Sequence, residues 1–413
     1  MGAIRDGSWL DEARVRRVAI VMLVVSVATL AFFAVTAHGT LDWKGRPLGT
    51  DFSEVYVAGK MTWAGEAARV WDWPTHFAAQ RAFHHSPGVD VYGWHYPPPF
   101  LLVASLLALL PYIPALLVWQ AATLGPLAVA AQRFTGRRDG WLFIVGAPVT
   151  LICLTHGHNG FLTALLLGGG LLLLDRKPFL AGLLLGCLVY KPQFALVLPL
   201  VVIASRRWAA IPGALLSAGA LLGLTLALWG WPVWQAFADS LPLTRHVVIE
   251  QGNTGWYKIF SPFSAVRAWG LAVAPAYAVQ SAFTLSAAAA ATWLAWRGRP
   301  LLRNAATAAA VLIATPYVLD YDYVVLLLAI GFLWKDGEDH GWGAWEKSLL
   351  ALAWIAPLFA RQFAQVTLVP LGLMTACSVL AIAAMRGRHA SKSRDVSPRS
   401  REAGGPPASL DQA

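Results

Sequence analysis

The feature that most constrains this chain is a succession of apolar runs separated by short polar connectors. Hydrophobic residues make up 57% of the 413 residues, and charged residues only 13%, about half the share that is usual in soluble proteins. A chain with so few charges does not suit a soluble globular domain, so we predict an all-α polytopic integral membrane protein. After a first run over residues 18–37, the others lie at about 97–111, 114–132, 141–156, 160–174, 178–190, 192–205, 209–230, 262–296, 304–319, 322–334, 347–361 and 365–385.

The basic residues cluster in the connectors at the ends of these runs. Placing the basic clusters in the cytoplasm predicts about 12 transmembrane helices, with both chain ends cytoplasmic. The region 97–132 has room for two spans. However, placing every basic cluster in the cytoplasm requires an odd number of spans between the first loop and Arg133. No basic stripe is interleaved with aromatic residues, so we expect no nucleic-acid partner. The clusters are Arg133/Arg137/Arg138, Asp175-Arg176-Lys177, Arg206-Arg207, Arg297/Arg299/Arg303 and Arg386/Arg388.

The same patterns divide the chain into three parts. Residues 1–17 contain Arg14, Arg16 and Arg17 just before the first apolar run and are expected to be a cytoplasmic N-terminus. Because the following apolar run has about 20 residues, we interpret it as an uncleaved span rather than a signal peptide. Residues 18–387 form the membrane domain, and residues 388–413 are predicted to be a disordered basic cytoplasmic tail. We expect a multi-pass protein of the cell (inner) membrane.

The polar segment 38–96 is the predicted first extracytoplasmic loop. Its apolar spacing predicts two short helices, at about 55–70 and 75–83, that lie on the membrane surface. Asp51 and Glu54 stand before the first of them. Asp51 could cap this helix, with Glu54 completing a capping box. Alternatively, Asp51 could be a catalytic carboxylate in a loop that faces water.

The other scarce polar residues are expected on the same face of the membrane. Ionisable groups beside apolar runs are costly, so each is a candidate for function. Lys191, between two apolar runs, is expected to bind an anion. Asp320 and Asp322 could pair with Lys191 or Arg361, act as ligands, or hydrate a loop. Arg245, His246 and Lys258 could bind a phosphate or be ordinary loop charges. His158 and Asn159 could be functional or form a simple polar turn.

At these residues the sequence resembles glycosyltransferase family 87, which includes mycobacterial polyprenol-phosphate-mannose-dependent mannosyltransferases. The resemblance covers about residues 45–335. The motifs that carry it are Thr50-Asp51-Phe52, Tyr56-Val57-Ala58-Gly59, Tyr96-Pro97-Pro98-Pro99-Phe100, Leu110-Pro111-Tyr112, Gly157-His158-Asn159-Gly160-Phe161-Leu162-Thr163, Ala181-Gly182, Tyr190-Lys191-Pro192-Gln193-Phe194 and Thr315-Pro316 through Asp322-Tyr323.

The resemblance implies a GT-C-type bundle whose cavity opens to the extracytoplasmic side. It also implies transfer of a hexose, with inversion, from a polyprenyl-phosphate sugar to a lipid-linked or cell-envelope glycan. Asp51 is then the general base, and the donor phosphate is expected at Lys191, Arg245 and His246, without a metal or cofactor. The substrate-binding candidates are Glu54, Tyr56, Tyr96, His158, Asn159, Gln193, Asp320 and Asp322.

The chain departs from that family in its late motif. Mycobacterial members have histidines where this chain has Asp320-Tyr321-Asp322, so mannose is only the first expectation for the sugar. A second class of function also fits a polytopic chain with polar residues near broken helices. This alternative is a transporter or flippase of a lipid-linked sugar without transferase activity.

Overall fold

The computed structural model describes residues 2–396, and this part of the chain is helical without a β-strand. The predicted all-α class is therefore confirmed. The first half contains α1 (Gly2–Asp6), α2 (Glu12–Val35), α3 (Thr50–Trp63), α4 (Trp73–Phe83), α5 (Pro99–Leu107), α6 (Tyr112–Thr135), α7 (Gly140–Val145), α8 (Pro148–His156) and α9 (Gly160–Leu173). The second half contains α10 (Pro178–Gly186), α11 (Leu198–Ala204), α12 (Ala210–Thr244), α13 (Pro262–Ala268), α14 (Val273–Arg297), α15 (Pro300–Ile313), α16 (Val324–His340), α17 (Glu346–Ile355), α18 (Ala360–Thr367) and α19 (Leu371–Val396).

Within the described residues, five helices are long and apolar enough to cross a membrane. A sixth span results if the segments Glu346–Leu358 and Ala360–Thr367, which are bent by 81°, are counted as one. The predicted number of about 12 spans is not confirmed. The five are Glu12–Val35, Tyr112–Thr135, Ala210–Glu250, Val273–Arg297 and Leu371–Ala390.

Several other apolar runs form shorter helices because proline interrupts them. Helices α10 and α15 each begin at a proline, which favours the first turn of a helix but cannot continue one. Between α10 and α11 the chain forms two short 3-10 turns, Cys187–Tyr190 and Pro192–Ala195. Lys191 lies between these turns. Irregular backbone of this kind is tolerated at membrane depth only where it is covered by protein or lines a cavity.

The lengths of the helices explain why the basic clusters require an odd number of spans between residues 97 and 138. Helix α5 has nine residues and is only ~14 Å long, too short for a hydrocarbon layer of ~30 Å. Only α6 has the length to cross. Its first residue, Tyr112, donates a hydrogen bond to the Leu48 carbonyl oxygen at 2.7 Å. After its other end, Arg137 pairs with Glu12 at 2.6 Å.

The basic connectors gather at one end of the bundle, which we call the arginine end. Asp175, after α9, accepts hydrogen bonds from Arg207 and Arg303 at 2.8 Å. Near the end of α16, Asp336 pairs with Arg299 and Arg386 at 2.7 and 2.8 Å. These carboxylates neutralise part of the positive charge that was expected in the connectors.

The first loop forms the two expected helices, but α3 does not lie on a surface. Residues Phe52 to Gly59 of this helix are buried in protein, so the prediction that both helices are interfacial is wrong for α3. The reason is close packing against α5, where Gly59 faces the backbone of Ala104. Helix α4 is less buried, and the Asp72 side chain caps its first turn.

The last helix, α19, continues to Val396 and so includes the start of the predicted tail at residue 388. Residues 397–413 of that tail lie outside the described residues.

Substitution of Gly59 should test the packing that positions α3. A methyl group at Gly59 would overlap the Ala104 carbonyl group, so Gly59→Ala should destabilise the protein by ~1–3 kcal/mol. The measurement is thermal unfolding of the full chain in detergent. Gly219→Ala is the matched control, because Gly219 lies inside α12 with no atom close to its added methyl group. Equal unfolding temperatures for the two variants would contradict the packing argument.

Candidate active site

A polar cavity of about 510 Å³ opens at the end of the bundle opposite the arginine end. Helices α9 and α16 connect the two ends, because each begins near the cavity and ends near Asp175 or Asp336. The cavity is assembled from segments distant in sequence. Those that contribute are the start of α3, residues 90–97, 156–158 and 190–196, the end of α12, residues 249–258 and 315–322, and Arg361.

Asp51 enters this cavity from the first turn of α3. The helix begins after Gly49, whose φ of 66° lies in the left-handed region that favours glycine. Gly157 of the neighbouring turn approaches Gly49 so closely that a Cβ atom there would lie 3.3 Å from the Gly49 Cα. No side chain caps this helix. Asp51 is therefore not the cap that its sequence position suggested, and its Oδ1 accepts a long contact of 3.3 Å from the Thr50 hydroxyl.

The surroundings of Asp51 make its ionisation less favourable than it is in water. Burial raises the pKa of Asp51 above its ordinary value of 3.8, and the positive potential of His156 and the Tyr321 hydroxyl oppose this shift. None of the described cations forms an ion pair with Asp51. Its carboxylate, when ionised, is consequently available to accept a proton.

Glu54 lies one helical turn after Asp51 and is buried at the cavity wall. Burial raises the pKa of Glu54 well above its ordinary value, and the charge of Asp51 adds to the shift. Ionisation of Asp51 therefore favours a protonated Glu54. Two coupled carboxyl groups of this kind titrate separately and can have different chemical roles.

An aromatic network lies against Asp51. The ring of Tyr321 stacks on His158 with 3.6 Å between the ring centroids. Burial lowers the pKa of His158 well below its ordinary value, so its imidazole is neutral. The His158 Nε2 atom lies 2.8 Å from the Tyr96 hydroxyl. These contacts hold three polar rings at the cavity wall.

A buried ion pair joins three helix ends beside the cavity. Lys191 Nζ donates to Asp322 Oδ1 at 2.5 Å and to Asn159 Oδ1 at 3.0 Å. Asp322 Oδ2 accepts a hydrogen bond from the Leu319 N–H at 3.0 Å. The neighbouring Asp320 pairs with Arg361. Of the alternatives left open for the two aspartates, the structure shows pairing with these cations.

The structure brings some of the sequence-predicted residues to the cavity and keeps others away. Those that line it are Asp51, Glu54, Tyr96, His158, Lys191, Gln193 and Asp322. Asn159 and Asp320 lie behind the wall as partners of Lys191 and Arg361. Tyr56 donates to the Leu110 carbonyl oxygen at 2.8 Å. Arg245 and His246 lie outside the cavity, with 66% and 60% of their side chains exposed, and pair with Glu250.

Other lining residues were not singled out by sequence reasoning. His95 Nδ1 lies 3.2 Å from the Thr244 hydroxyl, and burial lowers the pKa of His95 to about 4. In the sequence, the position of His95 directly before Tyr96-Pro97 could have identified it as a candidate. Arg46, Asp90 and Tyr92 also line the cavity, but they lie in loops where charged and aromatic residues are common.

Removal of one partner should reveal the coupling of Lys191 and Asp322. Lys191→Met leaves a buried carboxylate without its cation and should destabilise the protein by ~3–5 kcal/mol. Adding Asp322→Asn removes that charge while keeping an acceptor for the Leu319 N–H, so the double variant should recover part of the loss. Thermal unfolding in detergent measures both effects. Strictly additive losses in the double variant would show that the two side chains act independently.

Comparison with known protein families gives one match, to glycosyltransferase family 87 over residues 94–319. The matched region contains Tyr96, His158, Lys191 and Gln193, whereas Asp51 precedes it. Comparisons with curated proteins and with solved structures found no match.

Proposed function

Because the chain belongs to glycosyltransferase family 87, we propose that this membrane glycosyltransferase moves a hexose from a polyprenyl-phosphate donor. The acceptor is a lipid-linked or cell-envelope glycan, and mannose is the first candidate for the sugar. The observation that carries the proposal is Asp51, a carboxylate without a cationic partner among the described residues, in the wall of a polar cavity.

The composition of the cavity wall suits a sugar attached to a lipid. Polar side chains surround Asp51, as a sugar with several hydroxyl groups requires. The wall formed by the end of α12 and the segment that follows it contains the apolar residues Phe237, Leu241 and Ile249. Leu196 borders the same wall and is 56% exposed. A prenyl chain can leave the cavity along this wall toward the bilayer.

The proposed reaction is a single displacement at the anomeric carbon. Asp51 accepts the proton of the acceptor hydroxyl while the acceptor oxygen forms the new bond to that carbon. The bond between the anomeric carbon and the phosphate oxygen breaks, and its electron pair leaves with the polyprenyl phosphate. Attack from the face opposite the phosphate inverts the configuration. No second carboxylate is needed as a nucleophile.

The remaining lining groups position the substrates. Tyr96, His158 and Tyr321 form a wall of polar rings against which a sugar can pack. Lys191 retains one N–H beyond those given to Asp322 and Asn159. That N–H can orient a donor oxygen, and Gln193 is placed to do the same.

The arrangement of charges supports an orientation in the membrane. We propose that the arginine end is cytoplasmic, since Lys and Arg are enriched on that side of membrane proteins. The cavity then faces the extracytoplasmic side of the inner membrane. We further propose that the short apolar helices join in broken spans to complete a GT-C-type bundle of about 12 crossings.

Asp51→Asn tests the proposed base. The amide keeps the size of the side chain but cannot accept the proton, so transfer should fall at least ~100-fold. The measurement is release of polyprenyl phosphate from a labelled polyprenyl-phosphate sugar in membranes. Asp239→Asn is the control, because Asp239 is exposed on α12 and lies outside the cavity. Substantial transfer by Asp51→Asn would exclude Asp51 as the base.

The pH dependence of the reaction follows from the raised pKa of Asp51. A base works in its ionised form, so kcat/KM should fall as the pH decreases through a value above 3.8, the ordinary pKa of this group. Glu54→Gln should leave the position of this acidic limb nearly unchanged, because Glu54 tends to be protonated when Asp51 is ionised. An acidic limb that disappears in Glu54→Gln would assign the titration to Glu54 instead.

A further inference from the structure

The cations that line the cavity differ in how far carboxylates neutralise them. Arg46 pairs with Asp42 at 2.8 Å, and Lys191 pairs with Asp322 at 2.5 Å. Lys258 is half-buried, and within the described residues no carboxylate lies within ion-pair distance of it. Its Nζ atom lies over the ring of Tyr257, 5.8 Å from the ring centroid.

Pairing of two distant segments brings Lys258 beside Arg361. Ile259 and Leu319 form an antiparallel bridge, and the Phe260 N–H donates to the Val318 carbonyl oxygen at 2.8 Å. This register places Lys258 opposite Asp320. Asp320 is the carboxylate that pairs with Arg361, and α18, which carries Arg361, packs against the turn Trp256–Lys258. The segments that carry Lys258 and Arg361 therefore meet near the buried carboxylate of Asp320.

Arg361 has donors that Asp320 does not use. Its guanidinium group has five N–H bonds, and the buried Nε atom has no hydrogen-bond partner. The side chain is 25% exposed and reaches the cavity wall. An unpaired buried donor is costly unless a ligand completes it.

Contacts of Arg267 hold the turn that carries Lys258 in place. The Arg267 guanidinium group lies 5.0 Å from the centroid of the Trp256 ring. Arg267 also donates to the Glu250 carbonyl oxygen at 3.1 Å. These contacts fix the backbone of residues 250–258, so the position of Lys258 is set before a ligand arrives.

We infer that Lys258 and Arg361 form the subsite for the phosphate of the lipid-linked donor. This inference rests on the proposed function and names the groups that meet the leaving phosphate. Two cations and one carboxylate leave one net positive charge, which matches the single negative charge of a sugar phosphodiester. When the bond to the sugar breaks, the leaving polyprenyl phosphate gains negative charge, and the same cations stabilise it.

Binding of a polyprenyl monophosphate to the full-length protein in detergent tests the subsite without a catalytic step. Lys258→Gln should weaken this binding about 10-fold or more, since it removes a charged hydrogen bond to phosphate. Lys258→Arg should restore most of the affinity. Lys60→Gln is the matched control, because Lys60 is exposed at the end of α3 and lies outside the cavity.

A neutral polyprenol of the same length separates phosphate binding from binding of the chain. Lys258→Gln should not change the affinity for the alcohol, since no phosphate is present. Arg361→Lys keeps a cation for Asp320 but loses the planar guanidinium group, and it should weaken binding of the phosphate alone. Equal affinities of the wild type and Lys258→Gln for polyprenyl phosphate would overturn the inference, as would equal losses for both lipids.

The two proposals can fail separately. If Asp51→Asn keeps its transfer activity while Lys258→Gln loses phosphate affinity, the base is wrong and the subsite stands. If Asp51→Asn is inactive while Lys258→Gln binds polyprenyl phosphate normally, the subsite is wrong and the base stands.

Discussion

The ion pair between Lys191 and Asp322 is the interaction on which the polar end of this bundle depends. It connects the break between α10 and α11 to the turn before α16, and Asn159 adds the start of α9. Both charges are buried, so neither can exist there without the other at a tolerable cost. The pair therefore fixes where three helix ends meet, and these ends carry much of the cavity wall.

The broken helices and the placement of charged residues at the two ends of the bundle both follow from the apolar environment of the membrane. An apolar environment requires that backbone N–H and C=O groups find partners within the protein. The breaks around Lys191 and before α16 meet that requirement locally, because the Lys191 N–H donates to the Leu188 carbonyl oxygen and the Leu319 N–H donates to the Asp322 side chain. At the arginine end, Asp175 and Asp336 each pair with two arginines. Both ends thus contain buried ion pairs, and the cavity end also leaves polar groups such as Asp51 around an open space.

Sequence reasoning could identify the charges of the cavity because they are scarce in an apolar chain. Asp51, Lys191 and Asp322 were candidates on that ground, and all three line one cavity. The direction of a side chain was not predictable in the same way. Tyr56 turns away because its hydroxyl finds the Leu110 carbonyl group. The position of Lys258 depends on pairing between residues 259 and 319. Pairing between such distant residues leaves no local pattern in the sequence. The all-helical class could be predicted from the composition. Hydropathy alone could not distinguish the short helix α5 from a helix that is long enough to cross a membrane.

The partner that Lys191 takes also determines what Asp51 can do. A lysine beside Asp51 would stabilise the ionised carboxylate and weaken it as a base. In this structure the ammonium group is given to Asp322, and burial raises the pKa of Asp51 instead. A carboxylate with a raised pKa holds a proton more strongly, which favours removal of a proton from a sugar hydroxyl. The same reasoning separates the tasks of the cations. Lys191 serves the architecture of the site, and the positive charge left over for a phosphate lies on Lys258 and Arg361.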